Sequence, residues 1–333
     1  MNALITGGGG FIGSALAREL KKMGFTITIF CRGDYPELKS IGAKIKRGDI
    51  SDRGAVSDAC EKIDIVFHVA AKAGMWGSYK DYFSTNVTGT ENIVNACRRN
   101  RIKWLVFTSS ASVVFDGKEI RGGDESLPYP GSPVSYYTGT KALAERCVLN
   151  ADSESMRTIA LRPHIVIGPG DRHLLPRLLD RAGKGKLKQV GNGSNIVDLT
   201  YIDNVVKAHI CAARAIMDKP DTSGRPYFIS NGEPVQLWEV INTILEGAGM
   251  DRVRSSIPAG SAYFFSLIAE STYRILKINK EPILTRFLVH ELSKSHWFNI
   301  NSARNLLGYC PEISNNESIK RTVDWLQDND FQI

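Results

Sequence analysis

The chain contains 333 residues, of which 43% are apolar and 23% are charged, which is the composition of a globular protein rather than a disordered or fibrous one. It has no apolar run of the roughly 18 residues that a membrane-spanning helix requires and no secretory signal, and its six cysteines form no C-x-x-C pair, so we expect a cytoplasmic protein without disulfides. The net charge of +7 is spread along the chain without interleaved aromatic residues, which argues against a nucleic-acid partner.

The first half of the sequence alternates short β-branched runs with longer helical patterns. The predicted strands cover residues 3–6, 26–30, 44–47, 63–68, 105–108 and 158–162. Between them, apolar residues recur with a period of roughly 3.6, as Ile12, Leu16 and Leu20 do. This alternation predicts an α/β fold, a doubly wound parallel sheet of the Rossmann type with helices on both faces.

The pattern changes after Arg162, where a glycine- and proline-rich turn begins. We assign residues 1–172 to a dinucleotide-binding domain and residues 173–333 to a smaller, mostly helical substrate domain, with residues 196–231 returning in part to the sheet. The clearest helical segments of the second domain are 238–245, 264–276 and 285–292.

A glycine-rich turn follows the first predicted strand and precedes a helix that begins near Ile12. Its glycines, among them Gly7, Gly10 and Gly13, permit a positive φ and let the backbone approach a pyrophosphate, which then lies at the helix N-terminus beside Phe11 and Ile12. Since the turn sits in a strand–turn–helix frame, we interpret it as a dinucleotide-binding loop; the alternative is a flexible loop.

The second predicted strand ends in Phe30-Cys31-Arg32, where an acid normally binds the adenosine 2′-hydroxyl of NAD. The guanidinium of Arg32 can pair with a 2′-phosphate, so NADP(H) is favoured over NAD(H). The alternatives are that the cofactor is NAD(H), or that Arg32 is only a solvated residue at the strand end. Asp49 and Ile50, after the third strand, are placed for the adenine, although Asp49 is equally suited to cap a helix that starts at Ser51.

Tyr137 and Lys141 are four residues apart in a predicted helix, so both side chains lie on one helix face. A free phenol has a pKa of about 10, and a fixed ammonium nearby lowers that pKa towards the range where proton transfer is efficient. A hydroxyl at the preceding strand end, in Thr108-Ser109-Ser110, is placed to hold a substrate oxygen. The spacing alone is common on surface helices; the order of glycine turn, hydroxyl-rich strand end and Tyr–Lys pair favours catalysis.

In this order the chain resembles the extended short-chain dehydrogenase/reductase family over nearly its whole length. The residues that carry the resemblance are Thr6-Gly-Gly-Gly-Gly-Phe-Ile-Gly13, His68-Val-Ala70-Ala71, Asn86-Val-Thr-Gly-Thr90, Leu161-Arg-Pro163 and Tyr201-Ile-Asp-Asn-Val205. The resemblance implies that Tyr137 exchanges the proton and that Lys141 binds the nicotinamide ribose. It also implies that Ser110, or Ser109 as the alternative, holds the carbonyl.

The same resemblance places Ala70 and Ala71 beside the cofactor and Pro163 on the nicotinamide side. It further implies a homodimer through the two long helices that carry Asn92 and Lys141. The scattered histidines predict no metal site.

Within the family the chain is most similar to the 3β-hydroxysteroid dehydrogenase branch, and there to bacterial 2-alkyl-3-oxoalkanoate reductases of olefin biosynthesis. The segments that suggest this are 72–79, 190–195, 227–234, 284–287 and 296–297. The implied function is NADP(H)-dependent reduction of a hydrophobic 2-alkyl-3-oxo acid that bears a long 2-alkyl chain. Such a substrate needs a cation for its carboxylate and an apolar slot for its chains.

Lys72 and Arg286 are the candidate carboxylate partners, His164 is a third polar candidate, and Trp76 is a candidate wall of the apolar slot. For Lys72 the alternative is a solvated loop lysine, and for Trp76 a plain core role. The aromatic-rich stretch 264–277 is interpreted first as a packed helix, with a lid or a peripheral membrane or multienzyme contact as alternatives.

Three rival functions remain. A 3β-hydroxysteroid or sterol-4-carboxylate 3-dehydrogenase performs the reverse reaction on a related substrate. A nucleotide-sugar epimerase or dehydratase shares the Tyr–Lys pair but uses tightly held NAD, against which Arg32 argues. A non-catalytic NADP-sensing protein tends to lose Tyr137 or Lys141, and both are present.

Overall fold

The computed structural model describes residues 1–278 and 280–329. Its strands are β1 Asn2–Thr6, β2 Thr26–Cys31, β3 Lys44–Arg47, β4 Ile65–His68, β5 Trp104–Thr108, β6 Ile120–Gly123, β7 Arg157–Pro163, β8 Val166–Ile167, β9 Gln189–Val190, β10 Ile196–Val197, β11 Thr200–Tyr201, β12 Arg225–Ile229, β13 Val235–Gln236, β14 Ser256–Ile257 and β15 His296–Phe298. Its helices are α1 Phe11–Lys22, α2 Pro36–Ser40, α3 Arg53–Ala59, α4 Tyr79–Tyr82, α5 Gly89–Arg99, α6 Tyr136–Leu149, α7 Leu174–Gly183, α8 Ile202–Asp218, α9 Leu237–Gly247, α10 Ala259–Ile275, α11 Arg286–Ser293, α12 Asn301–Leu307 and α13 Asn315–Asp328.

Seven parallel strands form the central sheet in the order β3-β2-β1-β4-β5-β7-β12. Helices α1 and α8 pack on one face, and α3, α5 and α6 pack on the other. The inner strands are continuous apolar runs because both faces are covered: Ala3, Leu4 and Ile5 of β1 are fully buried. The predicted doubly wound, Rossmann-like fold is thereby confirmed.

The second half of the chain contributes to this sheet as well as to a separate core. β12 pairs with β7, and a further apolar cluster lies among α7, α9, α11 and α13. A smaller sheet has the order β13-β10-β15-β6, so it contains strands from both sides of residue 172. The predicted boundary between residues 172 and 173 stays a prediction.

Helix α10 buries a narrow face made of Ala262, Ser266 and Glu270. Its large apolar side chains lie outside, and Phe264 is 59% exposed and Phe265 58% exposed. The first interpretation of residues 264–277, a packed helix, agrees with the structure only for this narrow face of small and polar residues, which packs against α11. No helix within residues 1–278 and 280–329 has the length and apolar character needed to cross a membrane.

Candidate active site

The glycine turn between β1 and α1 has no room for side chains. Gly7 has a φ of +67°, and a Cβ atom on it would lie 2.7 Å from the Cα atom of Ala70. A Cβ atom on Gly13 would lie 2.4 Å from the carbonyl oxygen of Gly7. Gly10 caps α1 without a side-chain hydrogen bond, so the first amides of the helix stay available to an outside acceptor. This cradle fits the pyrophosphate of a dinucleotide.

In the structure, the ring of Tyr35 lies against this glycine turn. A Cβ atom on Gly9 would lie 2.0 Å from the Cζ atom of the Tyr35 ring, so only glycine fits beneath that ring. No pattern in the sequence points to Tyr35, because the contact depends on how the segment after β2 folds back over the turn.

A buried hydrogen-bond network fixes the strand ends beside the turn. The Nδ1 atom of His68 lies 2.7 Å from Thr6 Oγ1 and its Nε2 atom lies 2.9 Å from Thr90 Oγ1. Burial lowers the pKa of His68 to about 3, so this ring is neutral. The amide of Ala70 donates to Thr6 Oγ1, and the predicted pair Ala70-Ala71 thus begins next to the glycine turn.

Arg32 is exposed at the carboxyl end of β2. Hydrogen bonds from the hydroxyl and amide of Ser51 hold the pKa of Asp49 below its ordinary value, and the charge of Arg32 adds to this effect. Arg47 ends β3 in register with Cys31, which brings a second guanidinium to this edge. Arg47 is not among the residues predicted from the sequence, although a basic residue at the end of the neighbouring strand was a usable signal.

Ile50 is buried, and its carbonyl accepts a hydrogen bond from Asn92 Nδ2 at 3.1 Å. The alternative that Asp49 caps a helix starting at Ser51 is wrong. The helix begins at Arg53, and Asp52 caps it by accepting from two amides of the first turn.

Helix α6 carries the predicted Tyr–Lys pair on its first turns. Ser135 caps the helix and forms a capping box with Thr138, which fixes the helix start at Tyr136. Tyr137 and Lys141 follow four residues apart on the face that meets the sheet, where Lys141 is 2% exposed.

The ammonium of Lys141 is held at the end of β5. Its Nζ atom donates to the carbonyl oxygen of Thr108 at 2.6 Å and lies 4.1 Å from the ring centroid of Phe107. Burial lowers the pKa of Lys141 to about 7, and the negative charge of Glu145 opposes this change. The group therefore lies close to its titration range at neutral pH.

The pKa of Tyr137 departs from the sequence expectation. Burial raises the pKa of this phenol, a hydrogen bond with Ser110 opposes the rise, and the charge of Glu291 adds to it. The predicted lowering by Lys141 is not present in this structure, because burial outweighs the favourable contacts of the phenolate. A phenol with this pKa is protonated at neutral pH.

The two serines after β5 differ in their surroundings. Ser110 is hydrogen-bonded to Tyr137 and lies 2.8 Å from Ser112 Oγ, whereas the buried hydroxyl of Ser109 has no hydrogen-bond partner among the described residues. The amide of Ser109 donates to the carbonyl of Leu161, two residues before Pro163. Ser110 and Pro163 thus lie on one sheet edge, and the roles predicted for them stay predictions.

A cavity of about 280 Å³ opens beside Tyr137. Its lining residues are Met75, Trp76, Gly77, Ser78, Tyr79, Tyr82, Val134, Ser135, Tyr136, Tyr137, Glu270, Tyr273, Arg274, Lys277, Ile278, Thr285 and Phe287. Trp76 lies in the cavity wall, where its indole Nε1 donates to the carbonyl of Ile278 and its ring meets Tyr273 edge-on, and its predicted contact with the substrate stays a prediction. The wall is thus built mainly from the loop before α4, the start of α6 and the end of α10.

The polar residues predicted to contact the substrate are Lys72, His164 and Arg286. None of these three lines the cavity in the part of the chain that the structure describes. Lys72 lies 3.7 Å from a carboxylate oxygen of Asp81, and Arg286 is bound to Glu270 at 2.9 Å. These two cations already have carboxylate partners. The basic residues that do line the cavity are Arg274 and Lys277, which the sequence analysis noted only as neighbours of the aromatic stretch.

His164 is buried and does not belong to the cavity lining. Its Nδ1 atom lies 3.1 Å from the carbonyl oxygen of Asp198, and its Nε2 atom lies 2.9 Å from Nδ1 of His296. The nitrogens of these two rings and a carboxylate oxygen of Glu291 fall within 4.8 Å of one another, a grouping that the sequence analysis did not foresee. The two histidines are bonded to each other, which fits a structural contact between β7 and β15.

A 2-alkyl-3-oxoalkanoate reductase of Stenotrophomonas maltophilia is 44% identical over 323 residues, which cover 96% of this chain and 98% of that protein. A protein of the same name from Shewanella oneidensis is 42% identical, and the aligned region covers 96% of this chain and 85% of that protein. A mouse sterol-4-alpha-carboxylate 3-dehydrogenase, decarboxylating, is 33% identical over 96% of this chain and 89% of its own length.

Solved structures confirm the fold. MoeE5 in complex with UDP-glucose and NAD matches with a TM-score of 0.76 at 24% identity over 99% of both chains. A UDP-glucuronic acid 4-epimerase from Bacillus cereus in complex with NAD matches with a TM-score of 0.76 at 23% identity, again over 99% of both chains. At these identities the likeness concerns the fold alone.

The model of the 3-beta hydroxysteroid dehydrogenase/isomerase family matches residues 4–259, from β1 to the start of α10. That span includes the glycine turn, the sheet edge and the Tyr–Lys helix, and it takes in most of the chain. The chain therefore belongs to the 3-beta hydroxysteroid dehydrogenase/isomerase family and is an NAD(P)-dependent oxidoreductase of hydroxyl and carbonyl groups.

Proposed function

We propose that this protein reduces the 3-oxo group of a hydrophobic 2-alkyl-3-oxo acid to the 3-hydroxy acid, with NADPH as hydride donor and Tyr137 as proton donor. One observation carries the proposal: Tyr137 lies in the wall of an aromatic-lined cavity, one helix turn from the buried ammonium of Lys141. The two relatives named 2-alkyl-3-oxoalkanoate reductase, which match nearly the whole chain, support this substrate class.

Tyr137, Ser110 and Lys141 each have a separate role in the proposed reduction. When bound, the nicotinamide supplies a hydride to the carbonyl carbon. Tyr137 gives its phenolic proton to the carbonyl oxygen, and its raised pKa keeps that proton in place at neutral pH until charge develops on the substrate. Ser110, already bonded to Tyr137, donates a hydrogen bond to the same oxygen. Lys141, fixed by the Thr108 carbonyl, binds the ribose hydroxyls.

NADP(H) is the proposed cofactor rather than NAD(H). Arg32 is exposed at the end of β2 with Arg47 on the next strand, while the acid Asp34 is engaged by Lys39 at 2.7 Å. Two guanidinium groups at this edge favour a 2′-phosphate. Arg32→Asp is expected to lower the ratio of kcat/KM for NADPH to that for NADH at least tenfold, and the exposed Arg225→Asp is its control. An unchanged ratio in Arg32→Asp contradicts this assignment.

The function is tested by following NADPH consumption with 2-alkyl-3-oxo acids, 3-oxo-steroids and UDP-sugars. NADP⁺ reduction is followed with the matching 2-alkyl-3-hydroxy acids and with a 3-hydroxysterol-4-carboxylate. We expect turnover of the alkyl acids and its loss by at least a thousandfold in Tyr137→Phe, because the general acid is removed. Oxidation of a sterol-4-carboxylate instead supports the mouse relative's activity. No turnover of any alkyl acid overturns the proposal.

We also propose a homodimer through α5 and α6. These helices pack side by side on one face of the sheet, and Leu143 of α6 is exposed there. Light scattering is expected to give twice the mass of one chain, and Leu143→Glu is expected to shift it towards the monomer. A monomeric wild type contradicts the dimer.

The exposed face of α10 is proposed to contact an anionic lipid surface. Phe264 and Phe265 project from the helix, and Lys277 and Lys280 lie exposed at and beyond its end, a combination that suits such a surface. We expect sedimentation with phosphatidylglycerol vesicles and its loss in Phe264→Ser. Absence of vesicle binding removes this proposal in favour of a protein partner.

A cytoplasmic location is proposed from the cysteines. All six are free thiols, and Cys31, Cys60, Cys97 and Cys211 are buried. Unpaired thiols are usual in a reducing compartment.

A further inference from the structure

A 2-alkyl-3-oxo acid places strict limits on where its carboxylate can bind. Only one carbon atom separates the carboxylate from the carbonyl carbon that is reduced. Because the carbonyl oxygen has to reach Tyr137, the carboxylate lies in the same cavity, within reach of the start of α6. The cation that recognises it must therefore line that cavity.

Arg274, near the end of α10, meets this condition. It lines the cavity together with Tyr137, and its guanidinium carbon lies 5.4 Å from the ring centroid of Tyr136 and 5.8 Å from the ring centroid of Trp76. Two aromatic rings thus hold the guanidinium in the cavity wall by cation–π attraction. Half of the side chain is exposed.

Arg274 shares its carboxylate partner Glu270 with Arg286, so its charge is only partly compensated. Glu270, the acid in the same wall, accepts from the amide of Arg286 at 2.7 Å and from its Nε atom at 3.0 Å. Arg274 lies farther off, 3.8 Å from Glu270 Oε2, so one carboxylate faces two guanidinium groups. Lys277, one turn further on, adds another positive charge at the rim. The wall therefore carries a net positive charge beside an apolar slot.

We propose that Arg274 binds the substrate carboxylate and selects acids over neutral ketones, an inference that rests on the proposed function. Arginine suits this role because its planar group donates two parallel hydrogen bonds to a carboxylate. Lys72 and Arg286 do not line the cavity, and Arg286 is in addition held by short contacts with Glu270. Arg274 is thus a specificity residue, whereas Glu270 and Arg286 position the end of α10.

The test compares a 2-alkyl-3-hydroxy acid with its methyl ester in the NADP⁺-reducing direction. Losing a charge-assisted pair is worth about 1.5–3 kcal/mol, so Arg274→Gln is expected to raise KM for the acid about ten- to a hundredfold while kcat changes less than threefold. For the ester, KM is expected to change less than twofold. Arg274→Lys is expected to recover part of the affinity, and Arg225→Gln, at an exposed arginine on β12, is the matched control.

A second measurement keeps this inference separate from the proposed reaction. A 2-alkyl fatty acid without the 3-oxygen cannot react, and its binding is followed by tryptophan fluorescence, since Trp76 lies beside Arg274. We expect Arg274→Gln to weaken this binding at least tenfold, even if no acid is turned over. Equal binding by wild type and variant, no binding by wild type, or an equal KM change for acid and ester each overturns the role of Arg274.

Discussion

Replacing Asp198 by asparagine is expected to stabilise the protein at neutral pH and to leave its stability almost unchanged near pH 4. The Asp198 side chain is fully buried between β10 and β11, where its Oδ2 atom accepts from the amide of Phe298 at 2.6 Å. Its Oδ1 atom has no hydrogen-bond partner among the described residues. Burial raises the pKa of Asp198 from 3.8 to about 6, against the opposing hydrogen bonds of Phe298 and Ser230.

The sign and size of the effect follow from this pKa. A carboxyl group that binds its proton more tightly when folded favours the folded state fully at low pH, and this contribution is lost as the pH rises from about 4 through 6. The shift of about 2 pKa units corresponds to about 3 kcal/mol at pH 7.5, and about half of that is already lost at pH 5. Asparagine resembles the protonated acid, keeps an acceptor for Phe298 and carries no charge at any pH.

Urea unfolding followed by tryptophan fluorescence measures the difference between Asp198→Asn and wild type at pH 4, 5, 6 and 7.5. We expect the variant's advantage to grow over this range towards about 3 kcal/mol. Asp251→Asn, in an exposed loop, is the matched control and is expected to show no such trend. A variant no more stable than wild type at pH 7.5, or a difference that does not depend on pH, refutes the reasoning.

Two further substitutions probe the sheet edge behind the site. Glu145→Gln is expected to lower the free energy of unfolding by about 3–5 kcal/mol, because it leaves the guanidinium of Arg162, 2.6 Å away and 2% exposed, as an uncompensated buried charge. Urea unfolding measures this change, with the exposed Glu154→Gln as control. A difference from wild type below about 1 kcal/mol would contradict the prediction. Gly13→Ala is expected to raise the Kd for NADPH at least tenfold, because the new Cβ atom would lie 2.4 Å from the Gly7 carbonyl oxygen; a fluorescence titration with unchanged Kd would show that the turn can shift without loss.

The sheet and the glycine turn were predictable because each depends on short stretches of sequence. β1 is a run of apolar residues with polar ends, and the residues that follow it need the freedom of glycine whatever the rest of the chain does. The Tyr–Lys spacing likewise needs only a helix. The pKa of Tyr137 was not predictable in this way, since burial by elements far along the chain decides its direction.

The cavity wall was the least predictable part, because its charges depend on pairing between distant segments. In the sequence, Glu270 and Arg274 are four residues apart in a helix, a spacing that favours an ion pair and would leave Arg286 free. The fold reverses this preference: α11 starts beside α10, so the amide and guanidinium of Arg286 both bind Glu270, and Arg274 is left at 3.8 Å. The packing of α10 against α11 therefore decides which guanidinium makes the short contacts with Glu270, and Arg274, which local spacing marks as the partner of Glu270, keeps only the longer contact.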